Sequence, residues 1–97
     1  MTIGKELSEG KLSLKVEGRL DTNTSQELES ELKLEGVTEV VFDFSRLEYI
    51  SSAGLRVLML AQKTMTACGG KVLVASPNAV VKSVLDITGM SSIFTII

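Results

Sequence analysis

The chain has 97 residues, 44% of them hydrophobic, 23% charged and only 4% aromatic, with a formal net charge of −2; this predicts about one folded domain over residues 1–97 with an aliphatic core. No basic stretch is dense enough for a nucleic-acid backbone, no histidine is present to act as a base or metal ligand, and the lone Cys68 excludes an internal disulfide or CxxC pair. No apolar run approaches the roughly 20 residues of a membrane span, and Met1 to Leu7 is no signal peptide, so the expectation is a cytoplasmic protein without disulfide, cofactor, metal, nucleic-acid or membrane partner.

Ile3 to Leu7 reads as a short first strand, turned at Glu9-Gly10 into a second. In that second strand Leu12, Leu14, Val16 and Leu20 share one phase, and Lys11, Ser13, Lys15, Glu17 and Arg19 take the other. A helix follows Asp21, with Thr24 and Glu27 spaced as a capping box and Gly36 as its stop. Val40 to Phe44 is a near-continuous apolar strand, the kind expected inside a sheet covered on both faces or nearly so. After a connection over Ser45 to Ser52, a second helix runs to Cys68 and closes at Gly69-Gly70. Val72 to Ala75 is another buried strand. A third helix starts with Ser76 as cap and Pro77 at its first position, buries Val80, Val81, Val84, Leu85 and Ile87, and ends at Gly89. Ile93 to Ile97 closes the chain as a strand.

The order β-β-α-β-α-β-α-β predicts an α/β fold, a mixed sheet of four to five strands with three to four helices. Val40–Phe44 and Val72–Ala75 are expected at its centre. Functional loops in such sheets lie beyond the C-terminal strand ends, here Asp21 to Ser25, Ser45 to Ser52 and Ser76 to Asn78.

One segment carries chemistry, Tyr49-Ile-Ser-Ser-Ala-Gly-Leu-Arg-Val-Leu58. Its two serines stand where a helix begins, with unpaired N–H groups and a positive dipole end that favour a phosphate. Either serine also serves as an ordinary helix cap. Ala53 and Gly54 are small and leave that end open to a large partner. At 100° per residue, Val57, Leu58, Ala61, Met65 and Cys68 fall on a core arc. Ser52, Arg56, Met59 and Lys63 fall on another, with Leu55 beside them, and form a candidate contact surface.

Gly18-Arg-Leu-Asp21, Val40-Val-Phe-Asp-Phe-Ser45, Ile50-Ser-Ser-Ala-Gly-Leu55 and Thr88-Gly89 before Ile93-Phe94 together resemble the anti-sigma factor antagonist family, stand-alone bacterial STAS domains, over nearly the whole chain. The resemblance implies a STAS fold and a partner-switching protein, not an enzyme. It implies that the unmodified form binds an anti-sigma factor that is also a serine kinase of the GHKL ATPase type, and so releases the sigma factor. Phosphorylation of one serine dissociates the complex, and a PP2C-type phosphatase restores it. The acceptor position falls on Ser52, with Ser51 as the competing neighbour. Ser51 stands where the family often has Asp, and Ala53 where it has a second Ser. Asp21 matches an acidic residue bordering the binding surface, so the implied partner surface is Asp21, Ser51, Ser52, Leu55, Arg56, Met59 and Lys63. Two other readings remain. One is a non-phosphorylated STAS interaction subunit of a transport or signalling assembly. The other is a small nucleotide-binding or catalytic α/β domain, for which the chain has no Gly-rich phosphate loop. Asp43 lacks the acidic pair and late Lys of a receiver domain.

Overall fold

The structure is a computed structural model and describes residues 2–97. Its elements are β1 (Thr2–Ser8), β2 (Lys11–Leu20), α1 (Ser25–Ser30), β3 (Glu39–Ile50), α2 (Ser52–Ala67), β4 (Lys71–Ala75), α3 (Ala79–Ile87), a 3-10 turn (Met90–Ser92) and β5 (Thr95–Ile96). They form one five-stranded sheet in the order β1-β2-β3-β4-β5, so β3 is central and β4 internal. β1 and β2 pair antiparallel, and every later pair is parallel. Glu9 and Gly10 both take positive φ, 49° and 81°, as a two-residue hairpin turn requires.

The register explains the core. Leu12 lies beside Val40 and Val40 beside Val72; Leu14, Phe42 and Val74 line up the same way. All are buried and join Leu28 of α1, Val57, Leu58, Ala61 and Met65 of α2, and Val81 and Leu85 of α3 in one cluster. The three helices therefore cover a single face. The other face presents Ser13, Lys15, Asp43, Leu73 and Ala75, half-buried or exposed, so the expected covering of both faces is not realised. Val41, on that open face, is shielded to 9% exposure among its neighbouring strands.

β3 is longer than its apolar run. Opposite β2 it holds one extra residue between Asp43 and Arg46 and another between Leu47 and Tyr49. These bulges break the two-residue alternation, which is why Ser45 to Ile50 reads as a connection although it is strand. Gly18, at the second irregularity, has φ 95°.

Three helix boundaries differ from expectation. Thr24 makes no side-chain cap to α1 and no capping box with Glu27, because its hydroxyl is engaged upstream with Asp21 and Arg19. α1 ends at Ser30, well before Gly36. The cap of α3 is Asn78, whose side chain accepts the Val81 N–H at 2.8 Å, while Ser76 sits outside the helix at φ 55°. α3 also buries a narrower face than predicted: Val81 and Leu85 are covered, but Val80 is 55% and Ile87 83% exposed. Cys68, expected in the core, is exposed, because the helix ends at Ala67 and the chain turns before the 100° spacing would carry Cys68 inward. Among the described residues no helix is long and apolar enough to cross a membrane, and no group of three or more His, Cys, Asp or Glu is placed to hold a metal ion.

Candidate functional site

The site is built where β2 and β3 end together. Leu20 pairs with Ile50, and the Ser51 N–H donates to the Leu20 carbonyl at 2.9 Å. β3 thus passes into α2 through a single residue, and the loop from Asp21 lies alongside the helix start. Upstream, the Arg19 guanidinium stacks over the Tyr49 ring at 4.4 Å, and Arg46 faces Glu17 at 3.9 Å. Both pairs tie the bulged end of β3 to β2.

Ser51 is the cap of α2. Its extended backbone lets its hydroxyl accept the Gly54 N–H at 3.3 Å, and it is half-buried. Ser52 is the first helical residue and is exposed; among the described residues its hydroxyl makes no hydrogen bond within the protein. The two neighbouring serines thus differ in kind. One hydroxyl satisfies the helix start, and the next projects to solvent.

Gly54 is not an open patch for a partner. A Cβ there would stand 2.8 Å from Ile50 Cγ1 and 2.9 Å from Leu20 Cγ, so its missing side chain lets α2 press onto the two strand ends. Leu55 correspondingly belongs to the core at 7% exposure, not to the outer arc. Val57, Leu58, Ala61 and Met65 hold the predicted core positions. Arg56 and Lys63 are exposed, and Met59 is half-buried with part of its side chain against the core. Arg56 is not free: its Nη2 donates to Glu29 Oε1 of α1 at 2.9 Å. Glu29 is a residue that helix-face reasoning missed, since the pairing spans 27 positions and has no local signal.

Asp21 organises its own loop. Its Oδ1 accepts the Asn23 and Thr24 N–H groups, each at 3.0 Å, and the Asp21 N–H donates to Thr24 Oγ1 at 2.9 Å. The backbone bond from Thr24, with its hydroxyl, holds the Asp21 carboxyl below its usual value. The Ser25 hydroxyl donates to the Asp21 carbonyl and closes the turn. Asp21, Ser51, Ser52 and Arg56 therefore gather around one end of the helical layer, with Met59 and Lys63 farther along α2. The arrangement offers a solvent-facing hydroxyl on a rigid scaffold.

Comparison with known proteins matches this architecture. The family model described as STAS domain matches residues 3–97. BtrV of Bordetella bronchiseptica, a candidate anti-sigma factor antagonist, is 33% identical over 99 residues, spanning 99% of this chain and 85% of that protein. The anti-sigma F factor antagonist of Paenibacillus polymyxa is 26% identical over 100 residues, spanning 99% and 86% of the two chains. Among solved structures, the anti-sigma factor antagonist SpoIIAA in its unphosphorylated form superposes with a TM-score of 0.88 at 17% identity, covering 99% of this chain and 88% of the other. The phosphorylated form of Bacillus SpoIIAA gives 0.80 at 16% identity, covering 99% and 91%.

Proposed function

The chain belongs to the STAS domain family, and from that premise we propose that it is an anti-sigma factor antagonist controlled by phosphorylation of Ser52. In this reading the unmodified protein binds an anti-sigma factor that is also a GHKL-type serine kinase, and the sigma factor is released. The kinase transfers the γ-phosphoryl group of ATP to Ser52 Oγ. The Oγ–P bond forms, the bond between the β- and γ-phosphates breaks, ADP leaves, and the hydroxyl proton is lost. A PP2C-type phosphatase hydrolyses the phosphoserine. The protein is the substrate of both enzymes and catalyses neither step.

The observation that carries this reading is the contrast between the two hydroxyls: Ser51 caps the helix and is half-buried, whereas Ser52 is exposed and unengaged. The names of the relatives, and the existence of a phosphorylated SpoIIAA, support it. The proposed contact surface is Ser52 with Arg56, Met59 and Lys63 of α2 and the Asp21 loop alongside. Leu55, being in the core, is left out of it. Phosphate at Ser52 sits at a helix start that tolerates negative charge. It therefore acts on the partner, which would have to desolvate the phosphate, and leaves the fold in place.

The test is capture of partners from the source cells with unmodified protein, followed by incubation of the captured complex with ATP and mapping of the phosphate by mass spectrometry. The expected result is one phosphate on Ser52, absent in Ser52→Ala and retained in Ser51→Ala. Phosphate confined to Ser51, or native protein that never carries phosphate and sits in a transport or signalling assembly, overturns it.

A further inference from the structure

The ion pair between Arg56 and Glu29 lies within reach of the proposed acceptor. Ser52 and Arg56 are four residues apart on α2, the spacing that brings side chains together on one helix face. Arg56 is held instead by Glu29 on α1, at 2.9 Å, with side chains 65% and 44% exposed. An exposed pair of this kind is weak enough to exchange readily, yet at the upper end of its range it shifts a local opening equilibrium severalfold. The first turn of α2 contains no acidic residue, so no carboxylate there competes for Arg56.

α1 depends on what holds it. It has six residues and no side-chain cap at its N-terminus, too short to persist alone. Leu28 is its buried anchor, and the Lys5–Glu31 pair at 3.5 Å ties the residue after its end to β1. Among the described residues, Arg56–Glu29 is the one ion pair that joins it to α2. The same two side chains, with Gln26 and Ser30, line the shallow cleft between the helices.

We propose that phosphate on Ser52 draws Arg56 away from Glu29, so that the modification loosens α1 in addition to charging the start of α2. This rests on the reading of Ser52 as the acceptor. A phosphoserine carries nearly two negative charges and three acceptor oxygens, and a guanidinium binds it through paired hydrogen bonds. Glu29 offers one charge from another element. The exchange replaces one exposed pair by another, so global stability stays nearly constant while the amide protection of α1 falls. The Asp21 loop leads directly into α1, so both walls of the proposed contact surface respond to one phosphate.

The experiment installs phosphoserine at position 52 during translation, which needs no kinase, and follows hydrogen exchange of the α1 amides. Leu28 to Glu31 should exchange severalfold faster in the phosphoserine protein than in the unmodified one. Unmodified Glu29→Gln should reproduce that acceleration, and phosphoserine should add nothing further to it. α1 exchange that is unchanged by phosphoserine, or that rises equally in an Arg56→Gln background, overturns the proposal. Because the phosphate is built in, the result is independent of whether cells phosphorylate Ser52. Failure of the functional reading would appear instead in the partner-capture experiment.

Discussion

The two junctions where a parallel strand gives way to a long helix solve the same problem differently. At β3–α2, Ser51 supplies the cap with no intervening loop, and its N–H is bound to Leu20 of the neighbouring strand. At β4–α3, two residues intervene. Ser76 turns out at φ 55° with its N–H on the Ile97 carbonyl, and Asn78 caps the helix while its amide donates to the Leu47 carbonyl at 2.9 Å. Each junction places a serine near a helix start, but at the first, among the described residues, an unbonded and exposed hydroxyl stands on a helical residue, in a helix that Gly54 lets press against the strand ends. The cap and the exposed hydroxyl are separate residues there, so the hydroxyl can change chemically without unmaking the helix.

The comparison can be broken most forcefully at Gly54. Gly54→Val puts branched carbon into Ile50 and Leu20, both essentially buried, and should cost about 3 kcal/mol by overpacking. Thermal or denaturant unfolding measures it, and an unchanged stability would mean that α2 does not sit this close to the strand ends. The caps come next. Asn78→Ala should cost about 2 kcal/mol, since it removes a cap and strands the Leu47 carbonyl, against about 1 kcal/mol for Ser51→Ala, which removes a cap alone. Equal losses in a denaturant titration would erase the distinction between the junctions. Ser52→Ala should stay within about 0.5 kcal/mol of the parent in the same titration, as an exposed hydroxyl without partners predicts.

The smallest effect concerns acid. The Asp21 carboxyl is held below its usual value by the Thr24 backbone bond and hydroxyl, so the folded state binds its proton less readily than the unfolded state. Its contribution is present above the unfolded-state value and is lost as pH falls through the folded one. Comparing Asp21→Asn with the parent, the gap in melting temperature should be largest near neutral pH and shrink as pH falls below the usual carboxylate range. A gap independent of pH would show that the carboxylate charge is not what holds the loop.

Much of the architecture is legible in the residues. The alternation of Leu12, Leu14 and Val16, the apolar Val40 to Phe44 and Val72 to Ala75, and the glycines between segments specify the element order, the mixed sheet and the central strands. These are local signals, because a two-residue or 3.6-residue period states which side of an element is dry. The same rule placed Val57, Leu58, Ala61 and Met65 in the core. It failed where an element leaves its ideal period. The bulges hid half of β3, and the turn after Ala67 carried Cys68 out of its arc. Capping failed at Thr24, whose hydroxyl is engaged with Arg19 and Asp21 instead, and at Ser76, which a turn at φ 55° sets outside the helix; only the folded loop decides either outcome.

The sequence by itself determined that two serines stand at the start of a helix following a buried strand, and that no histidine or paired cysteine accompanies them. Only the tertiary structure decided that Ser51 caps and Ser52 is free, that Gly54 admits a close contact rather than an opening, that Leu55 is covered, and that Arg56 reaches Glu29. The Gly54 contact depends on the distance from α2 to Leu20 on β2, and the Arg56 pair on the distance to Glu29 on α1, both remote in the chain, whereas the choice of Ser51 as the cap turns on the extended backbone where β3 hands over to α2. Periodicity along one element carries no information about such distances. They are set when the helical layer packs onto the sheet and the available donors, acceptors and side-chain volumes settle among neighbours that only folding brings together.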